Sequence, residues 1–472
     1  MGVLNTTRLD ASNTLPALAS LAILIPLVAL ALRIWKALST PLRDVPGPLA
    51  TRFTRLWYLK NVWRGDFEKV NAPWYYASGS PDPNIHNLFT ERNPKIHSEI
   101  RRKVANLYSM TTLLQLEPFV TDGTAHMVAK FEEFAQNRVT VNFQHFAQCW
   151  AFDVIGLITL AKRFGFLDKG EDKGGVFAAL HVYLLHCANV GIYSEWHPII
   201  TKLEQFLPGP GMSFLTQFTQ AQITERLNAT KGDSEPSKTG NDFLTKLLKM
   251  HVEDPSKISM ADIFLALLTN IGAGSDTTAV SLAAIMFYLI KNKSLYKKLR
   301  AEIDAKVSER PSPDDVITFA EAQSMPYLQA CIKEGLRMHP ATGLPLARVV
   351  PKGGSTICGR YFPEDTVVGV NTWVAHRNKS VFGQDVDVFR PERWLESPEK
   401  ASAMERYFMA FGIGSRTCIG KNISLLEISK LVPELVRRFD FELANPAEEL
   451  QTHNVWFVKQ TNIFVRVAKR EV

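Results

Sequence analysis

The chain has 472 residues, of which 46% are hydrophobic, and this is enough apolar material to bury one large core. Its formal net charge of +7 comes without a dense basic run, which argues against nucleic-acid binding and is compatible with an anionic membrane surface. The five cysteines are Cys149, Cys187, Cys331, Cys358 and Cys418. An odd number of widely spaced cysteines is not a disulfide framework and suits a reducing compartment.

The N-terminal segment predicts a membrane anchor. Residues 11–32 carry no charge and are mostly apolar, close to the length of about 20 residues that spans a bilayer. Arg33, Lys36 and Arg43 follow, so the positive-inside rule places the rest of the chain in the cytosol. We expect residues 1–40 to form a single transmembrane anchor. A cleaved signal peptide is the alternative, but neither a basic n-region nor a small-residue cleavage site is apparent.

A hinge and a long helical region follow the anchor. Residues 41–48 include Pro46-Gly47-Pro48, which indicates a defined turn before the main body, residues 49–472. Helical periodicity runs from residue 103 to residue 290 and is interrupted by a polar surface loop at 228–241.

The apolar segment 261–290 predicts a buried helix about 45 Å long, opened by a capping box of Ser259 and Asp262. Residues 273–278 in its middle read Ala-Gly-Ser-Asp-Thr-Thr, where glycine weakens the helix and lets a ligand approach the backbone. The Thr277 hydroxyl beside the Asp276 carboxyl group suits proton delivery in a dry pocket. Alternatively, Thr277 bonds only to its own helix and Asp276 pairs with a cation.

Further along, Glu334 and Arg337 lie three residues apart on a helix that residues 338–340 (Met-His-Pro) end. Such a pair is usually a solvated ion pair. The alternating pattern of residues 355–373 then predicts a β-hairpin that turns at 362–365. Another strand pair is expected between Val455 and Val467.

Residues 411–420 (Phe-Gly-Ile-Gly-Ser-Arg-Thr-Cys-Ile-Gly) place one cysteine in a glycine-rich turn before an apolar helix. Glycines let backbone N–H groups approach the Cys418 sulfur, and both the helix N-terminus and Arg416 favour a thiolate there. A metal bound at this turn would have a single strong thiolate donor. The alternative is an ordinary buried cysteine.

This turn resembles the haem-ligand signature F-x-x-G-x-R-x-C-x-G of the cytochrome P450 superfamily at every fixed position. Residues 273–278 resemble the superfamily's A-G-x-D-T-T motif, and residues 334–337 its E-x-x-R. Residues 391–394 (Pro-Glu-Arg-Trp) supply the usual third partner, Arg393. The resemblance implies a mainly α fold with a small β domain, a triangular helical prism around haem b.

The resemblance also implies roles for individual residues. Cys418 would be the axial ligand of the haem iron, and Asp276 and Thr277 would deliver protons. Glu334, Arg337 and Arg393 would lock the loop that carries Cys418. The remaining residues expected to contact the cofactor are His97, Arg101, Ala273, Gly274, Arg348, Phe411, Gly412, Arg416 and Gly420. An apolar substrate pocket above the haem would be lined by Ala266, Asn270, Ala273, Leu344, Leu346, Trp456 and Phe457.

The activity implied by the resemblance is a haem-thiolate monooxygenase that inserts one atom of O2 into a small lipophilic substrate. No flavin or iron–sulfur motif follows Cys418, so electrons are expected to come from another protein. The resemblance to membrane-anchored members of the family implies that this donor is NADPH-cytochrome P450 reductase. The expected location is the endoplasmic reticulum membrane, with a single pass through the lipid and a cytosolic catalytic domain. Residues 97–110, 417–426 and 454–466 resemble the fungal pisatin-demethylase-like branch, whose members hydroxylate or O-demethylate natural products in secondary metabolism.

One segment departs from the resemblance. Relatives carry roughly 50 more residues, with several strands, where this chain passes from residues 67–71 directly to 72–76 without an alternating strand pattern. A skipped exon or a defective gene model would explain a shortened N-terminal sheet, which would leave the 355–373 hairpin with an open edge. Two alternative functions follow: an inactive truncated variant, or a haem-thiolate isomerase or dehydratase that needs neither O2 nor a reductase. Asp276 and Thr277 argue against the isomerase or dehydratase.

Overall fold

The computed structural model describes residues 11–40, 42, 44–45, 47–65, 87–204, 212–229 and 241–470. The predicted shortening near residues 70–72 lies outside the described residues, as does most of the predicted polar loop at 228–241. The described residues form mostly helices, with short strands in four small sheets.

The α-helices, in chain order, are α1 (Ala11–Ser39), α2 (Leu56–Arg64), α3 (Pro94–Val104), α4 (Met110–Leu114), α5 (Glu117–Asn137), α6 (Phe143–Leu160), α7 (Phe166–Lys169), α8 (Val176–Val190), α9 (His197–Glu204), α10 (Met212–Ala229), α11 (Phe243–Glu253), α12 (Met260–Lys291), α13 (Lys293–Ser308), α14 (Phe319–Gln323), α15 (Pro326–Met338), α16 (Thr372–Ala375), α17 (Lys379–Phe382), α18 (Pro398–Glu405) and α19 (Lys421–Arg438). Short 3-10 helices cover Leu49–Arg52, Ala105–Tyr108, Lys173–Gly175, Gly191–Trp196, Pro391–Trp394 and Gly414–Arg416.

The strands are β1 (Thr140–Asn142), β2 (Arg348–Val349), β3 (Ser355–Ile357), β4 (Arg360–Phe362), β5 (Val367–Val368), β6 (Phe439–Leu443), β7 (Thr452–Asn454), β8 (Val458–Gln460) and β9 (Phe464–Lys469). All pairs are antiparallel: β1 and β6 flank β9, β2 pairs with β5, β3 with β4, and β7 with β8.

The chain divides into two compact units. The smaller unit holds residues 1–60 and 348–368, and it contains α1 and the strands β2 to β5. The larger unit holds residues 61–347 and 369–472 and is mainly helical.

The long apolar segment forms α12, the central helix of the larger unit. Its start is the predicted capping box: the Asp262 N–H donates to Ser259 Oγ at 3.1 Å, and the Ser259 N–H donates to Asp262 Oδ2 at 2.9 Å. Helix α12 packs along α6 and also contacts α15 and α19. Its C-terminal half, from Thr278 to Ile290, is almost entirely buried, which explains why this part of the sequence is apolar.

The predicted hairpin is present, but its turn lies earlier than expected. Strands β3 and β4 are joined at Cys358 and Gly359, whose φ angles are +50° and +76°. Two consecutive residues with positive φ match the twist of a two-residue hairpin, and glycine adopts this backbone without strain. The segment 362–365 forms a second turn, in which the Thr366 N–H donates to the Pro363 carbonyl at 3.2 Å.

The predicted strand pair between residues 455 and 467 is wrong in its pairing. Strand β8 and most of β9 lie there, yet they do not pair with each other. In β9 buried and exposed residues alternate, and this strand joins the equally alternating β6 instead. A local pattern indicates that a segment is a strand but does not specify its partner.

Helix α1 (Ala11–Ser39) covers the segment predicted to be an anchor, and its role in the membrane stays a prediction. Its described apolar side chains, including Leu24, Leu27 and Trp35, are exposed. Among the described residues, Lys173–Tyr193 and Met260–Lys291 are long and apolar enough to cross a membrane by length and composition alone, but more than half of each apolar window is buried in the protein, as in core helices.

Candidate active site

The loop before α19 is closed by its own backbone. The Cys418 N–H donates to the Phe411 carbonyl at 2.8 Å, and the Gly412 N–H donates to the Met409 carbonyl at 2.9 Å. Gly412 and Gly414 have φ angles of +71° and +75°, a conformation that glycine adopts readily and other residues rarely do. These glycines therefore shape the turn that presents Cys418.

Cys418 is an exposed residue, yet its sulfur lies among many protein atoms. This partial loss of water raises the pKa of the thiol, while the N–H groups of Gly420 and Lys421 and the charges of Arg101 and Lys421 act in the opposite direction. The donors and charges that favour a thiolate are thus already in place at the start of α19. An iron ion bound to the sulfur would supply the further positive charge that ionises it.

The donor set suits an iron that brings its other ligands with it. In the part of the chain that the structure describes, no group of three or more His, Cys, Asp or Glu side chains could hold a metal ion. Cys358 and Cys418 are the exposed thiols, while Cys149, Cys187 and Cys331 are buried. A lone accessible thiol in a preformed loop fits the axial position of haem.

The structure also gives the surroundings of the other residues that are predicted to contact the cofactor near this loop. The Lys421 ammonium group is 5.9 Å from the centre of the Phe411 ring, and the Asn422 side chain donates to the Tyr108 carbonyl at 2.9 Å. A Cβ on Gly420 would lie 3.9 Å from the Cys418 sulfur. His97 and Arg101 lie one turn apart on α3, where His97 is buried and Arg101 is half-buried. Arg416 is half-buried at the end of the 3-10 turn before Cys418.

Arg348 lies in the smaller unit, where it forms part of β2 and is exposed. Its register partner is Val368 of β5. Its predicted contact with a haem propionate stays a prediction.

In the motif on α12, the structure separates the two predicted proton carriers. The Thr277 hydroxyl donates to the Ala273 carbonyl one turn earlier at 2.8 Å, and both residues lie on the open side of the helix. Asp276 is buried on another side. Gly274 faces α6, since a Cβ there would lie 2.9 Å from Ile155 Cδ1, whereas Gly272 has open space beside it. Helix packing therefore accounts for Gly274, and Gly272 is the glycine that a ligand could approach.

Two partners that the sequence did not reveal hold Asp276. Gln148 of α6 donates to Asp276 Oδ1 at 2.5 Å, and Lys459 of β8 forms an ion pair with Asp276 Oδ2 at 2.8 Å. The cation lies 183 positions away in the chain, so no local pattern could have indicated it. Asp276 and Thr277 thus adopt the arrangement of the alternative interpretation, and a proton relay would require both side chains to move.

Glu334, Arg337 and Arg393 form a buried cluster. Arg337 donates two hydrogen bonds to Glu334, at 2.8 and 2.9 Å, and Arg393 donates one at 2.9 Å. All three side chains are at most 1% exposed. The Trp394 indole N–H and the Arg390 backbone N–H also donate to this carboxylate, at 2.9 and 3.0 Å, so its charge is fully compensated.

A buried histidine that sequence reasoning missed lies between this cluster and the cysteine loop. His376 follows α16, and its ring nitrogens are 3.0 Å from the Arg337 carbonyl and 2.8 Å from the Met409 backbone nitrogen. It stands three residues before the segment 379–382, and nothing in its neighbourhood in the sequence predicts these contacts.

Most of the residues expected to line a substrate pocket are not fully buried. Ala266, Leu346 and Phe457 are partly exposed, and Ala273 is exposed. Leu344 and Trp456 are buried, and Trp456 contacts Phe89 edge to face at 5.9 Å. The Asn270 amide donates to the Thr159 hydroxyl of α6 at 2.8 Å, which holds its side chain against that helix.

Comparison with solved structures and families defines the class. A solved structure described as "Crystal structure of a Cytochrome P450 (CYP102L1)" superposes with a TM-score of 0.66 and covers 81% of each chain at 22% identity, which shows the fold. The family model named Cytochrome P450 matches residues 58–465, and the chain therefore belongs to the cytochrome P450 family. This confirms the predicted fold, the monooxygenase class and haem b as the cofactor.

The similar proteins are fungal. A pisatin demethylase of Fusarium vanettenii is 37% identical and covers 90% of this chain and 88% of its own length. The cytochrome P450 monooxygenase cicH of Emericella nidulans is 36% identical and covers 86% of this chain and 80% of its own. The resemblance to pisatin demethylases predicted from the motifs is thus confirmed, whereas the roles of the individual site residues stay predictions.

Proposed function

We propose that the chain hydroxylates or O-demethylates a small lipophilic natural product, as part of secondary metabolism. The observation that carries this proposal is the accessible Cys418 thiol at the start of α19, in a chain of the cytochrome P450 family. The choice of reaction is supported by the names of relatives, among them two pisatin demethylases at 37% and 36% identity.

In this proposal the chain's own residues hold the cofactor and manage protons. Cys418 binds the iron, Arg101 and Arg416 balance the negative charge of the cofactor, and bound haem supplies the oxygen chemistry. Thr277 leaves the Ala273 carbonyl to donate toward the ligand side of α12. Asp276 exchanges its Lys459 contact for a proton from solvent, and Asp276→Asn should lower the rate of product formation about 100-fold.

Electrons and location complete the proposal. NADPH-cytochrome P450 reductase donates the electrons, and residues 1–40 anchor the protein in the endoplasmic reticulum membrane in contact with lipid. Residues 41–48 form the hinge, and residues 49–472 form the cytosolic catalytic domain. The exposed apolar side chains of α1 and the start of the family match at residue 58 support this division.

The inactive truncated variant is the second candidate, and one observation favours a shortened chain. The alignment with the pisatin demethylase that is 37% identical extends over 467 positions but includes only 90% of the 472 residues of this chain. The remaining positions of the alignment hold residues of the relative opposite gaps in this chain. The relative therefore has residues that this chain lacks. A shortened sheet would remove part of the cover over the haem and weaken its binding.

The carbon monoxide difference spectrum of the dithionite-reduced, membrane-expressed protein separates these candidates. A strongly red-shifted Soret band that Cys418→Ser abolishes would support thiolate ligation by Cys418. Cys358→Ser is the matched control, because Cys358 is the other exposed thiol among the described residues and should leave the band unchanged. Protein that is present but gives no such band would favour the inactive variant. Product formation without NADPH would instead favour an isomerase or dehydratase.

A further inference from the structure

His376 is bound twice to one residue of the buried cluster. Its ring Nδ1 lies 3.0 Å from the Arg337 carbonyl oxygen, and its own carbonyl accepts from Arg337 Nη1 at 2.9 Å. The side chain is fully buried, and the ring stacks on Phe408 with an interplanar angle of 3°. The position of the ring is therefore determined by Arg337 on one side and by Phe408 on the other.

The partners of the ring fix its protonation. The backbone N–H of Met409 can only donate, so Nε2 must accept from it at 2.8 Å. The Arg337 carbonyl can only accept, so Nδ1 must carry the hydrogen. Burial, with help from the charges of Arg337 and Arg377, lowers the pKa of His376 to about 4, which agrees with this neutral tautomer.

Met409 is the first residue of the hydrogen-bonded loop that ends at Cys418. Its carbonyl accepts from the Gly412 N–H, and the Phe411 carbonyl accepts from the Cys418 N–H. We infer that His376 is a positioning residue: it ties the start of the cysteine loop to the Glu334–Arg337–Arg393 cluster and so keeps the sulfur at the height that thiolate ligation requires. This inference rests on the proposed role of Cys418.

Two substitutions each keep one of the two hydrogen bonds of the His376 ring and remove the other. In His376→Gln the side-chain carbonyl reaches the position of Nε2 and can still accept from Met409, but nothing donates to Arg337. In His376→Asn the amide N–H occupies the position of Nδ1 and can still donate to Arg337, but nothing reaches Met409. Both variants lose the aromatic ring, so stacking on Phe408 is lost equally.

The test uses the full-length protein in membranes and the reduced carbon monoxide spectrum, with total haem measured separately. We expect His376→Gln to keep most of the red-shifted band. In His376→Asn the ratio of red-shifted to unshifted band should fall about five-fold or more, since one unsatisfied buried N–H shifts an equilibrium by such a factor. Equal ratios in the two variants, or loss of the band in a folded His376→Gln protein, would overturn the inference.

His339 provides the matched control. It is also a buried histidine with a lowered pKa, but its Nε2 lies 2.7 Å from the Val458 carbonyl, away from the cysteine loop. His339→Asn should lower the unfolding temperature without changing the band ratio. A band ratio that falls as far in His339→Asn as in His376→Asn would attribute the effect to general destabilisation and overturn the inference.

Hydrogen exchange of the Met409 amide gives a reading that does not need haem. Peptides that include Met409 should exchange faster in His376→Asn than in His376→Gln or the wild type. Unchanged protection in His376→Asn would refute the link to the loop. A wild-type protein without the red-shifted band but with this exchange pattern would refute the proposed function while supporting the link itself.

Discussion

Glu427 shows how burial alone changes the chemistry of a single residue. It lies fully buried on α19, and its Oε2 accepts from the Thr278 hydroxyl of α12 at 2.9 Å. Burial raises the pKa of Glu427 from 4.5 to about 8, and the Thr278 hydrogen bond opposes this shift only in part. The carboxyl group is therefore largely protonated in the folded protein at neutral pH.

Glu427→Gln tests this assignment. Between pH 4.5 and about 8 the unfolded chain has lost the Glu427 proton while the folded protein keeps it. The free energy of unfolding of the wild type therefore falls as pH rises, by about 1.4 kcal/mol per pH unit from this group. Glutamine has no proton to lose, so the free energy of unfolding of the variant should increase relative to that of the wild type as the pH rises through this range. Urea titrations at several pH values measure the difference, and a difference independent of pH would contradict the raised pKa.

Loss of the ion pair between Lys459 and Asp276 should have a measurable effect on the free energy of unfolding. Asp276 is buried, and Lys459→Met would remove the cation that pairs with it. Among the described residues, the Gln148 side-chain amide would then be the hydrogen-bond donor that remains to the Asp276 carboxylate. We expect the free energy of unfolding to fall by about 3 kcal/mol. The double variant Lys459→Met/Asp276→Asn should recover most of this loss, because it removes the unpaired charge as well. Additive effects of the two substitutions would show that the pair contributes nothing.

At the scale of elements, helix packing depends on glycines where two helices approach closely. A Cβ on Gly335 of α15 would overlap Cγ1 of Ile285 on α12, and a Cβ on Gly274 would press on Ile155 of α6. Gly272 lies on the same helix as Gly274, but a Cβ added there would meet no neighbouring atom within 4 Å. Close helix packing therefore requires glycine at position 274 of α12 but not at position 272.

Gly335→Ala should reduce the free energy of unfolding by about 1–3 kcal/mol through overpacking against Ile285. Ile285→Ala creates space there, so the double variant should be more stable than the sum of the two single effects predicts. Gly272→Ala is the control and should stabilise α12 by about 1 kcal/mol, because alanine is the better helix former. Thermal unfolding of all four proteins measures these effects, and strict additivity would contradict the close contact.

The elements also show what the sequence can predict. The Ser259 capping box, the end of α15 at Met338 and the hairpin after Ser355 depend on residues close together in the chain, and the structure contains them. The partner of β9 and the roles of His376 and Lys459 depend on contacts between distant segments. Periodicity and capping carry no information about such contacts, which only tertiary packing determines.

At the scale of the whole molecule, the family, the fold and the cofactor could be predicted because four separate motifs occur in the expected order. The motif residues identify the class, but they do not specify the substrate, which the loops around the haem select. The most consequential prediction about the whole chain that the described residues do not address is the shortening near residues 70–72. The carbon monoxide spectrum addresses it instead, because haem binding requires an intact pocket.

Removal of residues 1–40 tests the proposed anchor. The full-length chain should stay with the membrane fraction after alkaline carbonate washing, because a helix of about 20 apolar residues inserts stably. The shortened chain should be released by the wash or by high salt. As a control, Arg33→Gln/Lys36→Gln keeps the apolar span and should stay in the membrane. Release of the full-length chain by carbonate would refute a transmembrane anchor.

The exposure of the five cysteines provides a way to measure the fraction of the protein that carries haem. Cys149 and Cys331 are buried, so an alkylating reagent does not reach them. Cys187 is buried as well, which leaves Cys358 and Cys418 accessible to an alkylating reagent. Burial raises the pKa of the Cys418 thiol, so the reaction is run at alkaline pH, where part of it is thiolate. Iodoacetamide followed by peptide mass spectrometry should then modify both thiols in protein without haem and Cys358 alone in loaded protein. The ratio of the two modified peptides would then measure how much of a preparation carries haem, without any spectrum.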